Sequence, residues 1–553
     1  MKFKKSLWLM LCLTIAMSLF LAACSGGNNA ESPAEETPAE EKPEEEAPSG
    51  EPVVGGDIIV GSIGEPTLFN PYYSTDVPSS NIEGFIYNGL VTSNEKFETE
   101  MDLAESVDSS DDGLTHVVKL KQGIKFHDGE EVTADDVVFS FSIPLHEDYV
   151  GERGSSFEAL ESVTKIDDYT VEFKLSSVDV TFVPITLSFA VLPEHILKDV
   201  PMGDLGENEF NTKSPVGTGP FKFDSWADGE YVKVVANDDY YEGRPYLDSI
   251  TYKIVPDQNA LLAQFQAGDV DFITVPGTDL ETAKAFPGIK IESGLGLSYT
   301  YLGFNQQQER FQDPKVRQAL THAINREEIV SAVMNGDGEV AHVPESPLSW
   351  AYNSDVPQFN YDPEQAKSLL AEAGWEDTDG DGWLDKDGEK FSFVMKTNQG
   401  NKIREDIVVV LQQQFKEVGI EATPEIVEWS AYIEQISAPN WDYDALVLGW
   451  SLATFPELSD IFHTNQREEG LNFVWYSNEE ADKLMEQAKQ TVDQEAYKEL
   501  YGQIYKIIAE DQAYTFLYYP NVHRAMPENL NGYVFHAKSD FYDIHKWWFA
   551  EQE

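Results

Sequence analysis

From Gly55 onward, short β-branched runs alternate with capped segments of helical period, and that alternation restricts the chain to mixed α/β architectures. Asp57-Ile-Ile-Val-Gly-Ser62 reads as a buried strand. His116-Val-Val-Lys-Leu120 and Lys125-Phe126 read as a hairpin turning at Asp128-Gly129. Thr133-Ala-Asp-Asp136 is a capping-box variant that opens a helix over residues 137–141. Residues 170–175 alternate like an exposed strand. A helix over 261–265 stops near Gly268, and a strand follows over 270–274. Asp313-Pro314 and Asp362-Pro363 each open a helix with Pro at its first position. Asn325 starts another, and Gly374 closes the one after Asp362. No internal repeat is visible.

The first residues are of another kind. Lys2, Lys4 and Lys5 precede an apolar run from Leu7 to Leu21, which ends in Leu21-Ala22-Ala23-Cys24. A basic start, an apolar middle and small residues before a cut make an export signal. The Cys at the cut looks like a lipobox. Its thiol takes a diacylglyceryl group, and two acyl chains hold a protein to a membrane where one does not. Residues 24–54 are rich in Glu, Pro and Ala, with no apolar period. They read as a solvated tether, with an acidic recruitment tail as the alternative. The 553 residues are 41% hydrophobic and 12% aromatic, enough for several cores. The only two cysteines are Cys12, inside the signal, and Cys24, so disulfides, thiol nucleophiles and thiolate metal sites are excluded from the body. A net charge of −60 excludes nucleic acid and anionic lipid heads as partners. Carboxylates spread along the whole body suit a protein facing salty or alkaline medium better than they suit a cationic substrate.

Several blocks recur in one order: Ile86-Tyr-Asn-Gly-Leu-Val91, Leu120-Lys-Gln-Gly-Ile-Lys-Phe-His-Asp-Gly129 and Val132-Thr-Ala-Asp-Asp-Val-Val-Phe-Ser140. Ser214-Pro-Val-Gly-Thr-Gly-Pro-Phe221, Asp313-Pro-Lys-Val-Arg-Gln-Ala-Leu320, Gln414-Phe-Lys-Glu-Val-Gly-Ile420 and Gly449-Trp450 follow. In this the chain resembles the oligopeptide- and dipeptide-binding family of ABC importer solute-binding proteins, over essentially everything after the tether. The resemblance implies a two-lobed α/β periplasmic-binding-protein fold (class II, closing by a hinge) with an extra domain on the first lobe. The first lobe is expected at 55–81, 216–300 and 521–553, the extra domain at 82–215 and the second lobe at 301–520. Ligand would sit in the cleft between the lobes.

Gly449-Trp450-Ser451 follows the apolar run Ala445–Leu448, and the resemblance places this strand end on the cleft, offering backbone groups to an extended ligand. Relatives that take peptides carry an Asp in or just after this loop for the ligand amine. Here Phe455 stands in its place, with Glu457 or Asp460 as substitutes. Lys402 or Arg404, at the start of a helix, suits a ligand carboxylate. The resemblance adds Tyr73 and Asn305 as ligand contacts. Asp377, Asp379, Asp381 and Asp385 match the opening of a calcium loop, but Gly388 stands at the twelfth position where Glu is usual. Apart from that calcium, no cofactor is expected. Trp375, Trp383, Trp429, Trp441, Trp450 and Trp475 read as core anchors rather than sugar platforms, and the histidines show no metal spacing.

The expected protein is a monomeric lipoprotein receptor on the outer face of the cell membrane. It captures an oligopeptide and passes it to an ABC permease. A nickel complex and an oligosaccharide are alternatives for the same role. No nucleophile elbow, zinc-helix motif or phosphate loop supports the competing reading of a surface hydrolase, so no enzyme is expected. A sensor that signals without import is a third class.

Overall fold

The computed structural model describes residues 51–468 and 470–551. The signal, Cys24 and the tether up to residue 50 lie outside them. The strand Asp57–Ser62 buries Ile58 and Val60 and runs parallel to Ser249–Ile254. Tyr231–Ala236 and Phe221–Ala227 continue this sheet antiparallel, so four strands form the first layer. A second four-stranded sheet is inserted in sequence between its members, in the order Ala104–Ser109, Thr115–Leu120, Thr170–Leu175, Leu160–Asp167. The helix Ala134–Ser142 packs on it, with Phe141 edge-on to Phe173 at 5.1 Å. The inserted sheet and the first one share a single core, reaching from Ile58 to Phe173.

A large sheet builds the other half. Its path runs from Ile273–Val275 through Tyr514–Pro527, Ser298–Phe304, Ala445–Ser451 and Ser392–Asn398 to Glu421–Val427. One face is tyrosine-rich, with Tyr301 stacked on Tyr514 at 3.9 Å. The other face is covered by the amphipathic helices Pro314–His322, Pro363–Glu372 and Lys402–Glu417.

The fourteen-residue strand Tyr514–Pro527 serves both halves. Its first part pairs with Ser298–Phe304 and its second with Ile289–Leu295 and Ile273–Val275. The chain therefore crosses between the halves on two neighbouring strands, tied where Gly296 N donates to Pro520 O at 3.0 Å. Beside this crossing, His523 lies between Ser293 Oγ at 2.7 Å and Asp337 Oδ2 at 2.8 Å.

The local expectations hold where side-chain chemistry decides them. Thr133 and Asp136 close a capping box. Asp313, Asn325 and Asp362 each accept an amide of the helix they open. Gly268 and Gly374 take the left-handed conformation after their helices, at φ +79° and +88°. Pairing across the sheets differs. Thr115–Leu120 does not form a hairpin with Lys125-Phe126, and its neighbours are Ala104–Ser109 and Thr170–Leu175. Lys125 instead bridges Glu131 across the Asp128-Gly129 turn. The strand Thr170–Leu175, expected to be exposed, buries Val171, Phe173 and Leu175 under the inserted sheet's helix.

Candidate ligand-binding cleft

Ala445–Leu448 is fully buried, whereas Gly449, Trp450 and Ser451 are half-buried. Ser298–Phe304 pairs with this strand along its whole length. On the opposite edge, Ser392–Asn398 pairs only at Ala445 and Leu446 and then diverges. Tyr432 OH and Thr397 Oγ1 both donate to Val447 O, at 3.0 Å each. Among the described residues that edge has no partner strand beyond Val447, which is the geometry an added extended chain requires.

The edge faces the other half across two joined cavities. One, of about 330 Å³, lies among Ser62, Asn81, Tyr252, Asn398, Arg404 and Phe541. The other, of about 280 Å³, lies among Asp76, Arg153, Trp450, Ser451, Phe473 and Lys538. Val77, Asn81, Trp429, Leu448 and Gly449 line both, so the space is continuous. Its floor on the first half is the start of the helix Val77–Ile86. Asp76 caps this helix, accepting from Ser79 N at 2.9 Å, Ser79 Oγ at 2.7 Å and Thr67 Oγ1 at 2.7 Å. Val77 is left 52% exposed at the cleft.

Arg404 lies against Gly449. Its Nη1 donates to Asn398 Oδ1 at 2.9 Å, and Nη2 lies 2.5 Å from where a Cβ on Gly449 would be. Among the described residues Arg404 forms no ion pair. Lys402, the other cation read there, pairs with Asp406. Trp429, which lines both cavities, has its indole N–H buried without a partner. Lys538 opens onto the second cavity and donates to Ser451 Oγ at 3.1 Å. The low-dielectric surroundings and the nearby Arg153 charge push its pKa down to about 8.

Arg404, Gly449, Trp450 and Ser451 thus come together, and the other expected contacts lie elsewhere. Tyr73 packs on Tyr149 at 5.4 Å and against Gly206, outside both cavities. Asn305 is buried, with its amide donating to Tyr443 O at 3.0 Å and its Oδ1 accepting from Gln307 N. It fixes a strand end. Glu457, offered as a substitute for the ligand-amine Asp, turns inward instead. It accepts from Ser459 N at 2.8 Å and lies 3.8 Å from Lys489. Asp460 accepts from Ser155 Oγ at 2.6 Å, so it docks on the inserted sheet's segment. Phe455 stands edge-on to Trp350 and Tyr497 and walls a separate cavity of about 490 Å³. Trp429 and Trp450 pack on the tyrosine-rich core and also line the cleft, whereas Trp375 is buried. Trp441 and Trp475 pack on each other at 5.1 Å.

In the acidic loop, one carboxylate oxygen each from Asp377, Asp379 and Asp381 lie within 4.8 Å of one another. Asp377 accepts from Gly380 N and Gly382 N, and Asp379 and Asp381 each accept an amide two residues on. Asp385 is turned away from them onto Thr378 N and Oγ1.

Sequence reasoning missed Asn81, Tyr252, Arg153 and Lys538. Each belongs to a segment whose place on the cleft depends on pairings distant in sequence. The one available signal was the scarcity of cations, 38 Lys and Arg against 98 acids.

Two lobes around a cleft with an unpaired strand edge define a solute-binding protein of the hinge-closing type. The model for bacterial extracellular solute-binding proteins of family 5 matches residues 98–473, and the chain belongs to that family. The chain is 57% identical to the oligopeptide-binding protein AppA of Bacillus subtilis over 554 residues, covering all of both chains. It is 32% identical to heme-binding protein A of Haemophilus influenzae, over 77% of this chain and 80% of that one. The structure of B. subtilis AppA in complex with a nonapeptide superposes with a TM-score of 0.90 at 59% identity, covering 91% of this chain and all of that one. NikZ from Campylobacter jejuni in complex with Ni(L-His) superposes at 0.81 with 26% identity, covering 89% and 99%.

Proposed function

We propose that this protein captures oligopeptides in extended form between its lobes and delivers them intact to the transmembrane subunits of an ABC importer. One observation carries the reading: the unpartnered edge of Ala445–Ser451, with the Arg404 guanidinium beside Gly449. Main-chain pairing on that edge accepts any side chain, and a cation with no carboxylate of its own suits an anionic group of the ligand. The oligopeptide-binding AppA of B. subtilis, with its bound nonapeptide, points the same way and supports it. We take residues 55–81, 216–300 and 521–553 as the first lobe, 82–215 as its extra domain and 301–520 as the second. Closure would bend the two crossing strands near Gly296 and Pro520. Attachment through acyl chains on Cys24 would hold the receptor at the outer face of the cell membrane, as a monomer. Native mass spectrometry of protein purified without refolding tests the reading: co-purified peptide is expected, and a sugar or metal chelate in its place would overturn it.

A further inference from the structure

The Trp450 end of the cleft holds two cations and no carboxylate free to match them. Arg153 donates through Nε to Ser74 O at 3.1 Å, and Lys538 donates to Ser451 Oγ at 3.1 Å. Both line the cavity of about 280 Å³. Among the described residues neither forms an ion pair. The neighbouring acids are already committed. Asp76 is held by Thr67 and Ser79, and Asp540 is paired with Arg524. Burial pushes Glu83 up to about 8 and Glu152 up to about 7, which weakens both as counter-charges to Arg153 at neutral pH.

Two like charges on one small cavity repel. The segment bearing Lys538 is fixed in place, because His536 Nδ1 accepts the amides of Lys538 and Ser539 at 3.2 and 3.0 Å. The repulsion is therefore built in, and in a chain of net charge −60 it is local to this cavity. We propose that Arg153 and Lys538 form an anion subsite that clamps a carboxylate carried by the bound peptide. Arg supplies directional paired donors and Lys a point charge, a combination that fixes a carboxylate in both orientation and place. The subsite rests on the peptide reading above, and it adds a preference: peptides that present an acid at this end bind more tightly than neutral ones. The carboxylate has two sources, an acidic side chain or the peptide's own C-terminus.

Calorimetry on the whole protein distinguishes them. The probes are synthetic nine-residue peptides, uncharged except for one Asp placed at each position in turn, with Asn twins, each made as free acid and as C-terminal amide. Either one Asp position or the free acid is expected to bind at least about tenfold more tightly than its neutral twin. That margin, read within each protein as the ratio of acidic to neutral twin, should vanish in the Arg153→Gln/Lys538→Gln double variant. A margin over the Asn twin assigns the side chain, and a margin over the amide assigns the terminus. Neutral peptides that bind with no acid margin, or a margin that survives in the double variant, would overturn the subsite and leave the peptide reading standing. Failure of every peptide to bind the wild type would overturn both.

Discussion

Gly449 leaves the place of a side chain to the Arg404 guanidinium. In Gly449→Val the guanidinium must move off the strand edge, since a Cβ would meet Nη2 at 2.5 Å. Peptide affinity should fall by about tenfold or more, on the order of 1.4 kcal/mol, with an unchanged circular dichroism spectrum. Retained affinity would remove Arg404 from the site. Glu457 acts differently. Its carboxylate is desolvated, which raises its pKa, and the Lys489 charge opposes that rise. Lys489→Met strands the acid, so the protein should lose about 3 kcal/mol of stability by denaturant titration. Its affinity for peptide should not change, because neither residue lines the cleft. Lys538 adds a pH dependence. It faces Arg153, with Asp76 and Glu83 on the adjoining helix and His536 and Asp540 on its own segment. Below about 8 it is charged, and above that value it is neutral. Glu83 ionises over the same range, so both changes lower the local positive charge as pH rises. Affinity for an acidic peptide should therefore fall from pH 7 to about pH 9, and affinity for its neutral twin should hold.

At the scale of elements, the crossing strands approach closely at Gly296. A Cβ there would meet Val522 Cγ2 at 2.8 Å and Pro520 O at 3.3 Å. Gly296→Val should force the strands apart and bias the protein toward a more open form. Small-angle scattering would then report a larger radius without ligand, and peptide affinity should drop by about tenfold. An unchanged radius would place the hinge elsewhere. The elements themselves were largely legible, for a physical reason. Helix starts are written by local hydrogen bonds, as at Asp313 and Asp362, and helix stops by glycines that take positive φ, as at Gly268. Strand partners are not local. Nothing in Thr115–Leu120 specifies that Thr170–Leu175 lies beside it. The family resemblance put the strand end at Gly449 on the cleft, whereas no motif marked Arg153, Lys538 or Tyr252. Glu457 was misplaced because a formula for the loop says nothing of Lys489, which comes from the distant helix Glu479–Lys489 and turns the carboxylate inward.

Across the whole molecule, buried acids tie folding to pH. Glu345 is held by Ser346 N at 3.0 Å and Tyr505 OH at 3.3 Å, and burial pushes its pKa from 4.5 up to about 8. The folded protein keeps this proton between those values, where the unfolded chain has released it. Stability from this source is complete below 4.5 and is lost as pH climbs toward 8. Glu345→Gln removes the titration, so its melting temperature should fall less than the wild type's between about pH 5 and pH 8.5. Parallel curves would show that Glu345 is ionised in the folded state. Tyr514–Pro527 has a consequence of its own. Every strand it joins precedes it in the chain, so a polypeptide emerging in order leaves the large sheet with raw edges until this segment arrives. That sheet cannot settle early. Such a late keystone keeps a nascent chain pliable enough to be threaded through a narrow pore, and a product truncated before Tyr514 should clump rather than leave a useful half behind.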